Sequence, residues 1–193
     1  MTGGYIAGHG GGIYAAGTAT TGPTRVRVLN NHITGNTATI YGGGICVMRA
    51  AGTSLVNNTV RLNSANSGGG LYLRESGSSV LVERNTFEEN TAAGTQGYGG
   101  GVELYACPAD VLVGNLIRLN TATTSGGVFV ASSSPTLTGN TIEGNTASGS
   151  GGGFCVRGSS PTLTDNLVIG NTAVHGAGGY CDGSSLTLTR NTI

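Results

Sequence analysis

Residues 126–151 read GGVFVASSSPTLTGNTIEGNTASGSG, which is one full copy of a pattern that runs through the chain. The copy starts with a glycine pair, after which Val128 and Val130 alternate with other residues. Two further short runs follow, one around Leu137 and one around Ile142. Alternation over a few residues is typical of short β-strands, and the Gly, Asn, Ser and Thr between the runs are typical of turns.

The pattern recurs along the chain, and repetition at a fixed period of about 20 to 50 residues indicates a stack of repeats. Glycine clusters end at Gly12, Gly44, Gly70, Gly101, Gly127, Gly153 and Gly179. An asparagine motif, Asn-x-(Ile/Val/Phe)-x-x-Asn-(Thr/Ser)-Ala, keeps step with these clusters through six full copies. A seventh, partial copy occupies residues 191–193.

These repeats predict an all-β fold. One repeat cannot bury its own apolar face, so the copies must stack on one another. We predict a parallel β-helix (β-solenoid) of about seven coils of about 26 residues, with three short strands per coil. Residues 1–193 would form a single β-solenoid domain without obvious caps at its ends.

Stacking places the asparagines of the motif in two columns, where we predict structural ladders. The first column contains Asn31, Asn58, Asn85, Asn115, Asn140 and Asn166, and the second contains Asn36, Asn63, Asn90, Asn120, Asn145 and Asn171. Side-chain amides in such columns can hydrogen-bond to one another and to the backbone groups of the turns. Buried turns would therefore keep their polar groups paired.

The repeat resembles that of polymorphic outer-membrane proteins and, more broadly, that of right-handed parallel β-helix surface proteins of the pectate-lyase-like superfamily. The segments that carry the resemblance are 43–45 (Gly-Gly-Ile), 69–71 (Gly-Gly-Leu) and 87–90 (Phe-Glu-Glu-Asn). The resemblance implies a right-handed coil and a location outside the cell or at the surface of a bacterial-type cell. Motifs this short identify a fold family and leave the activity open.

Composition excludes several classes of protein. Nine Lys and Arg residues balance nine Asp and Glu residues, so the chain lacks the basic patch that nucleic-acid binding needs. We find no apolar run of the roughly 18 residues that a membrane span requires. The sequence also shows no Cys-x-x-Cys pair or similar ligand pattern. We therefore expect no nucleic-acid partner, no membrane span, no metal and no cofactor.

The cysteines offer one candidate covalent link. Counted from the last glycine of each cluster, Cys155 and Cys181 occupy the same outward position in successive repeats. Their Cα atoms would be roughly 5 Å apart, which is within the range of a disulfide. The alternative is a column of small side chains without a bond.

A second candidate site is an outward stripe on the strand that follows the glycines. Tyr14, Tyr72 and Phe129 fill this stripe in three of the repeats. Exposed aromatic rings on a rigid face could stack on sugars or contact a neighbouring rod. Partial cover by adjacent loops is the alternative, and the sequence does not separate the two.

Two further functions were weighed on specific residues. Polysaccharide cleavage would need clustered acids, and the densest group is Glu83, Glu88 and Glu89 beside Arg84. Charges of this kind more often solvate an outward face. Ice binding would use the Thr-x-Thr pairs at 136–138, 162–164 and 187–189, but the first four repeats lack that pair.

These observations predict a protein that is not an enzyme. The first interpretation is an extracellular structural protein whose solenoids stack head-to-tail into a filament, or form part of a surface stalk or adhesin, with a second copy of the chain as partner. A carbohydrate-binding or polysaccharide-cleaving β-helix is the alternative, with glycans as partners, and ice binding is a weaker one. Open strand edges favour axial association.

Overall fold

The computed structural model describes residues 1–18, 25–49, 51–77 and 79–193. These residues form 26 short strands and no helix, and the strands pair in parallel, each with its equivalents in the coils before and after it. None of the described residues belongs to a helix with the length and apolar character needed to cross a membrane. The predicted all-β parallel solenoid is confirmed.

Four sheets run along the solenoid, and the two longest have seven strands each. Sheet I follows the glycine clusters and contains β2 (Ile13–Ala16), β6 (Ile45–Met48), β10 (Leu71–Arg74), β14 (Val102–Tyr105), β18 (Val128–Ala131), β22 (Phe154–Arg157) and β25 (Gly179–Asp182). Sheet II contains β3 (Arg27–Leu29), β7 (Ser54–Val56), β11 (Leu81–Glu83), β15 (Val111–Val113), β19 (Thr136–Thr138), β23 (Thr162–Thr164) and β26 (Thr187–Thr189).

The other two sheets have six strands each. Sheet III contains β4 (His32–Thr34), β8 (Thr59–Arg61), β12 (Thr86–Glu88), β16 (Leu116–Arg118), β20 (Thr141–Glu143) and β24 (Leu167–Ile169). Sheet IV contains β1 (Tyr5–Ile6), β5 (Thr37–Ala38), β9 (Ser64–Ala65), β13 (Thr91–Ala92), β17 (Thr121–Ala122) and β21 (Thr146–Ala147).

Sheet IV corrects the prediction of three strands per coil, because its two-residue strands add a fourth. Two residues are too short for alternation to stand out in a sequence, so the Thr-Ala step resembled part of a turn. Its alanine points inward and is buried, as Ala38 and Ala92 show. With six or seven strands per sheet, the solenoid has slightly more than six turns, close to the predicted seven.

The core consists of the inward residue of each strand, stacked coil upon coil. Sheet II contributes a column in which Leu55, Val82, Leu112 and Leu137 are fully buried. Sheet III contributes a facing column that includes Phe87. Burying a side chain of this size stabilises the fold by about 1.5–3 kcal/mol, so the stacked columns are the main source of stability.

The glycine clusters allow two parts of each coil to approach closely. A Cβ at Gly44 would lie 2.6 Å from Cγ1 of Val60 and 2.7 Å from the carbonyl oxygen of Gly70. Real Cβ atoms do not come that close, so a side chain here would force the coils apart. Gly42 adopts a φ of 65°, in the left-handed region that glycine occupies without strain.

Both predicted asparagine ladders are confirmed. In the first, Nδ2 of Asn58 donates to Oδ1 of Asn85 (2.9 Å) and to the carbonyl oxygen of Val28 in the preceding coil (2.8 Å). The backbone N–H of Asn58 donates to the same Oδ1 (2.9 Å). The pattern continues from Asn31 to Asn191 in the first ladder and from Asn36 to Asn171 in the second. Each interior amide thus uses both donors and accepts twice.

The last coil is one residue shorter than the glycine pattern suggested. Phe154 pairs with Gly179, and the backbone N–H of Phe154 donates to the carbonyl oxygen of Gly178 (3.1 Å). Gly178, not Gly179, is therefore the equivalent of the last glycine in the cluster before it. Gly179 takes an inward strand position, and the ring of Phe154 fills the space that its side chain would need.

One copy of the repeat carries extra residues that form a surface loop at 94–97. The backbone N–H of Gly97 donates to the carbonyl oxygen of Gly94 (2.8 Å), which closes the loop. The chain then rejoins the stack at Tyr98, whose backbone pairs with Thr124 in the next coil. The longest copy was expected to hold its insertion at residues 18–23, most of which lie outside the described residues.

Candidate functional site

The outer face of sheet I carries a column of residues that differs in every coil. We call this the central column; it contains Tyr14, Cys46, Tyr72, Glu103, Phe129, Cys155 and Tyr180. Each member lies between two residues that point inward, so it points outward, because successive side chains of a strand alternate between faces. Sheet I therefore presents a varied row of side chains on a regular backbone.

Most of this column is covered, which corrects the expectation of an exposed aromatic stripe. Tyr14 is 52% exposed, but Tyr72 is 3% exposed and Phe129 is 4% exposed. The cover comes from the turns that precede sheet I, where Tyr41 and Tyr98 reach over the column. Of the two alternatives left open by the sequence, cover by adjacent segments applies to Tyr72 and Phe129.

Two aromatic stacks result. The rings of Tyr41 and Tyr72 are nearly parallel, with centroids 4.4 Å apart. The rings of Tyr98 and Phe129 lie 4.5 Å apart, also stacked. Stacked rings add about 0.5–1.5 kcal/mol to the burial of their area, so these walls are held firmly. The stacks lie on either side of the coil that contributes Glu103 to the column.

Glu103 is a buried carboxyl between the two stacks. It pairs with Tyr72 in the coil before and with Phe129 in the coil after, and it is only 4% exposed. Its Oε2 atom is buried without a hydrogen-bond partner. An acid in this position is costly unless it stays neutral or receives a partner.

Burial raises the pKa of Glu103 to about 8, and a hydrogen bond with Ser67 opposes the rise. The carboxyl therefore carries a proton at neutral pH and can donate a hydrogen bond as well as accept one. Burial also raises the pKa of the Cys46 thiol to about 12, with the nearby carboxyl of Glu103 as a second cause. The surroundings of Glu103 thus favour its neutral form.

Two arginines flank these rings. The guanidinium of Arg157 lies 5.6 Å from the ring centroid of Tyr98 and 5.8 Å from that of Phe129. Arg74 lies 5.3 Å from the ring centroid of Tyr105 and is ion-paired with Glu75 (2.9 Å). Among the described residues no carboxylate is ion-paired with Arg157, and its Nε is buried without an acceptor. Cation–π contacts hold the charge in place and leave its donors free.

Together these residues enclose a groove of about 410 Å³ on the outer face of sheet I. The aromatic groove, as we call it, is lined by Tyr41, Ser67, Tyr72, Arg74, Tyr98, Glu103, Tyr105, Phe129, Ala131 and Arg157. A concave site with aromatic walls and a few converging polar groups is typical of small-molecule and saccharide sites. The two orphaned polar atoms, Oε2 of Glu103 and Nε of Arg157, both belong to residues of its lining.

The predicted disulfide does not form, because its two cysteines are not equivalent. Cys155 pairs with Tyr180, and Cys181 pairs with Val156. Cys155 therefore points outward while Cys181, one position out of step, belongs to the inward row. All four cysteines are free, and of these only Cys181 is exposed. The one-residue shortening of the last coil is the cause.

The acidic group considered for catalysis is taken up in ion pairs on the outer face of sheet III. Oε1 of Glu88 lies 2.6 Å from an Nη of Arg118, and Oε2 of Glu89 lies 2.8 Å from an Nη of Arg61. Glu83 is paired with Arg84 at 3.2 Å. Among the described residues, no three His, Cys, Asp or Glu side chains form a group that could hold a metal ion.

The threonine pairs stack as expected but remain confined to three coils. Thr136, Thr162 and Thr187 are partners in register, as are Thr138, Thr164 and Thr189. The preceding strand of the same sheet, β15, presents Val111 and Val113 at these positions. The array is therefore a short patch at one end of sheet II.

Sequence reasoning missed Glu103, Arg157, Tyr41 and Tyr98 as members of one site. A signal was present, because Glu103 is the only acid in a column of aromatic and thiol side chains. Tyr98 also directly follows the extra residues of a 31-residue copy. Side chains from the turns and from the end of the strand converge on the column only once the coils are stacked, which the spacing alone does not show.

The chain was compared with known proteins. A family model described as a right-handed β-helix region matches residues 5–142 and 96–193, so the two matches together cover nearly the whole chain. No curated protein and no solved structure matches it. The narrower resemblance to polymorphic outer-membrane proteins stays a prediction.

Proposed function

The chain belongs to the right-handed β-helix family, and on that premise we propose that it is a non-enzymatic carbohydrate-binding module whose aromatic groove holds a glycan. The observation that carries the proposal is the groove itself, in which a buried, unpartnered carboxyl lies between two aromatic stacks. The rigid solenoid would serve as the scaffold that presents it.

The lining of the groove suits a saccharide. Sugar rings present apolar C–H faces and polar hydroxyl edges, so they need both flat aromatic surface and hydrogen-bonding groups. The rings of Tyr98 and Tyr105 supply the first, and Glu103 and Arg157 supply the second. Because the backbone beneath is a continuous parallel sheet, these groups are held without a costly ordering step.

The proposal that the protein is not an enzyme rests on the placement of its acids. Glycoside hydrolysis uses two carboxyl groups on either side of the bond that is cleaved. Within the described lining of the groove, Glu103 is the single carboxyl, and it is neutral at pH 7. The three acids of sheet III are in ion pairs on a different face. These observations favour binding over cleavage.

Binding can be tested with soluble polysaccharides, both neutral and acidic, by affinity electrophoresis and calorimetry. We expect the native protein to bind at least one class and Tyr98→Ala to bind it about tenfold more weakly, since the variant loses one wall. Tyr5→Ala is the matched control, because Tyr5 is 72% exposed on sheet IV, outside the groove. Failure of the native protein to bind any of them would overturn the proposal.

The same mixtures test for cleavage. We expect no new reducing ends and no unsaturated products after long incubation with each polysaccharide. Release of either product would show that the protein is an enzyme, whether or not Tyr98→Ala weakens binding.

End-to-end association is a second candidate function, with another copy of the chain as the partner. The favouring observation is the constant register of all four sheets, since a coil of a second copy would meet the same ladders of donors and acceptors. The last described coil also presents apolar surface, with Leu188 47% exposed where the equivalent Leu163 is 1% exposed. A filament or surface stalk built in this way would carry a groove in every subunit.

Negative-stain microscopy at increasing protein concentration tests the filament. We expect rods with one subunit per roughly 34 Å, which is about seven strand spacings. Isolated particles at the highest concentration would overturn end-to-end stacking and leave the glycan proposal standing.

We also propose that the protein acts outside the cell or at the surface of a bacterial-type cell. Its low charge, 9% of residues, and a groove suited to glycans support this location. Digestion of intact cells of the source with an added protease should remove it, and protection in intact but not lysed cells would overturn the proposal.

A further inference from the structure

We propose that Glu103 and Arg157 make the aromatic groove specific for saccharides that carry an anionic group, and that ionisation of Glu103 releases them. This inference rests on the proposed function, since it names the ligand class and the regulation of the same groove. It concerns charge selection, which glycan binding alone does not require.

The first step in the argument is that the groove contains an unused cation. Other arginines on the outer faces, such as Arg61, Arg118 and Arg190, have carboxylate partners at 2.6–2.8 Å. Arg157 has none among the described residues, although it pairs in register with Asp182. Its Nε is buried with no acceptor, and two aromatic rings fix the position of its guanidinium. An anionic group on a ligand would satisfy this donor.

The second step is that the nearest acid does not compete for that cation. Glu103 is buried, its carboxyl is neutral at pH 7, and its Oε2 lacks a partner. A protonated carboxyl can donate a hydrogen bond to a carboxylate or sulfate oxygen, whereas an ionised one repels it. The two orphaned atoms therefore complement one ligand group, provided that Glu103 keeps its proton.

The third step is that the surroundings of Glu103 leave it as the group that switches. The titratable or charged groups around it are Cys46 on β6, Tyr72 and Arg74 on β10, Tyr41 and Tyr98 on the turns, and Arg157 on β22. Burial raises the pKa values of Cys46 and Tyr72 far above neutrality, and the arginines stay charged. Between pH 6 and 9, Glu103 is the group whose charge changes at the floor of the groove.

The test uses a matched pair of probes, a galacturonic acid hexamer and the same hexamer with every carboxylate methyl-esterified. A sulfated neutral hexamer forms a third arm, which separates carboxylate from sulfate as the anion. We expect the acid hexamer, the sulfated one, or both to bind at pH 6.5 at least tenfold more tightly than the ester. Above the pKa of Glu103, affinity for the charged probe should fall by about tenfold per pH unit.

Two variants identify the residues responsible. Glu103→Gln replaces the acid with a neutral group of the same shape, so its affinity for the charged probe should stay constant from pH 6.5 to 9. Arg157→Gln should bind the charged and esterified probes equally. Thermal unfolding of each variant checks the fold, and if Glu103→Gln does not fold, the native pH profile and the acid–ester pair still decide.

The outcomes separate this inference from the proposed function. Equal binding of charged and esterified probes, with no change between pH 6.5 and 9, would overturn charge selection and leave glycan binding intact. Binding of none of the probes or polysaccharides would overturn the proposed function and this inference with it. A pH profile that Glu103→Gln retains would show that another group is responsible and would overturn the role of Glu103.

Discussion

The asparagine ladders and the central column of sheet I are both stacks of equivalent residues, but they differ in how their polar groups are paired. In the ladders every coil contributes the same residue, and each interior amide uses both of its donors and accepts twice. In the central column every coil contributes a different residue, and the one carboxyl has an oxygen without a partner. Both stacks are largely buried.

This difference separates what the solenoid needs for its fold from what it has free for function. A ladder position is constrained by the coils above and below, so a change there is unfavourable in every coil. The central column points away from the core, and its cover comes from turn residues that also vary. In a repeat protein, the place where a buried column departs from the repeat is therefore where we look for a site.

Breaking one ladder should have the largest effect. Asn90→Ala would leave the backbone N–H and Nδ2 of Asn63 without their acceptor and the carbonyl oxygen of Val60 without its donor. Each buried group left unpaired costs about 1–3 kcal/mol, and partial relaxation is expected, so we predict a loss of about 3 kcal/mol in the free energy of unfolding. Denaturant titration monitored by circular dichroism measures it.

Asn66→Ala provides the matched control. Asn66 is an exposed asparagine only three residues beyond Asn63 and belongs to neither ladder. Its replacement should change the free energy of unfolding by no more than about 0.5 kcal/mol. Equal losses for the two variants would show that the ladder contributes nothing beyond an ordinary asparagine.

An intermediate effect should come from the carboxyl of the central column. Burial raises the pKa of Glu103 from 4.5 to about 8 in the folded protein. Between these values the folded chain keeps the proton and the unfolded chain has lost it, so the free energy of unfolding falls as pH rises. The slope for one proton is at most about 1.4 kcal/mol per pH unit, and Glu103→Gln should remove this part of it.

Denaturant titrations at pH 5.5, 6.5 and 7.5 measure that slope. Burial raises the pKa of Asp110 as well, so the variant should retain a smaller slope of the same sign. Glu75→Gln is the control of opposite sign, because a hydrogen bond from Arg74 lowers the pKa of Glu75. Its contribution is lost only as pH falls below the ordinary range of a glutamate, so its slope from pH 5.5 to 7.5 should equal that of the native protein. Identical slopes for both variants would contradict the assignment to Glu103.

The same comparison explains how much could be predicted from the sequence. Stacking, the inward columns and both ladders followed from spacing, because every coil repeats them. The pairing of Tyr98 with Phe129 and the position of Arg157 did not, since these contacts join residues of different coils and different columns. The shortened last coil was also missed, because Gly178 and Gly179 both match the glycine pattern and only the strand register separates them.

The smallest effect concerns the thiols, and it tests the register of the last coil directly. Cys181 is exposed, whereas Cys46, Cys107 and Cys155 are buried and burial raises their pKa values to about 11 or 12. A thiol reagent should therefore label one cysteine in the native protein and four in denaturant. Cys181→Ser should abolish native labelling while changing the free energy of unfolding by no more than about 0.5 kcal/mol, and Cys155→Ser should leave native labelling unchanged. If Cys155 and Cys181 were equivalent neighbours joined by a disulfide, native labelling would be absent and only two thiols would react in denaturant without reductant. That count would show that the last coil follows the glycine pattern and not the register described here.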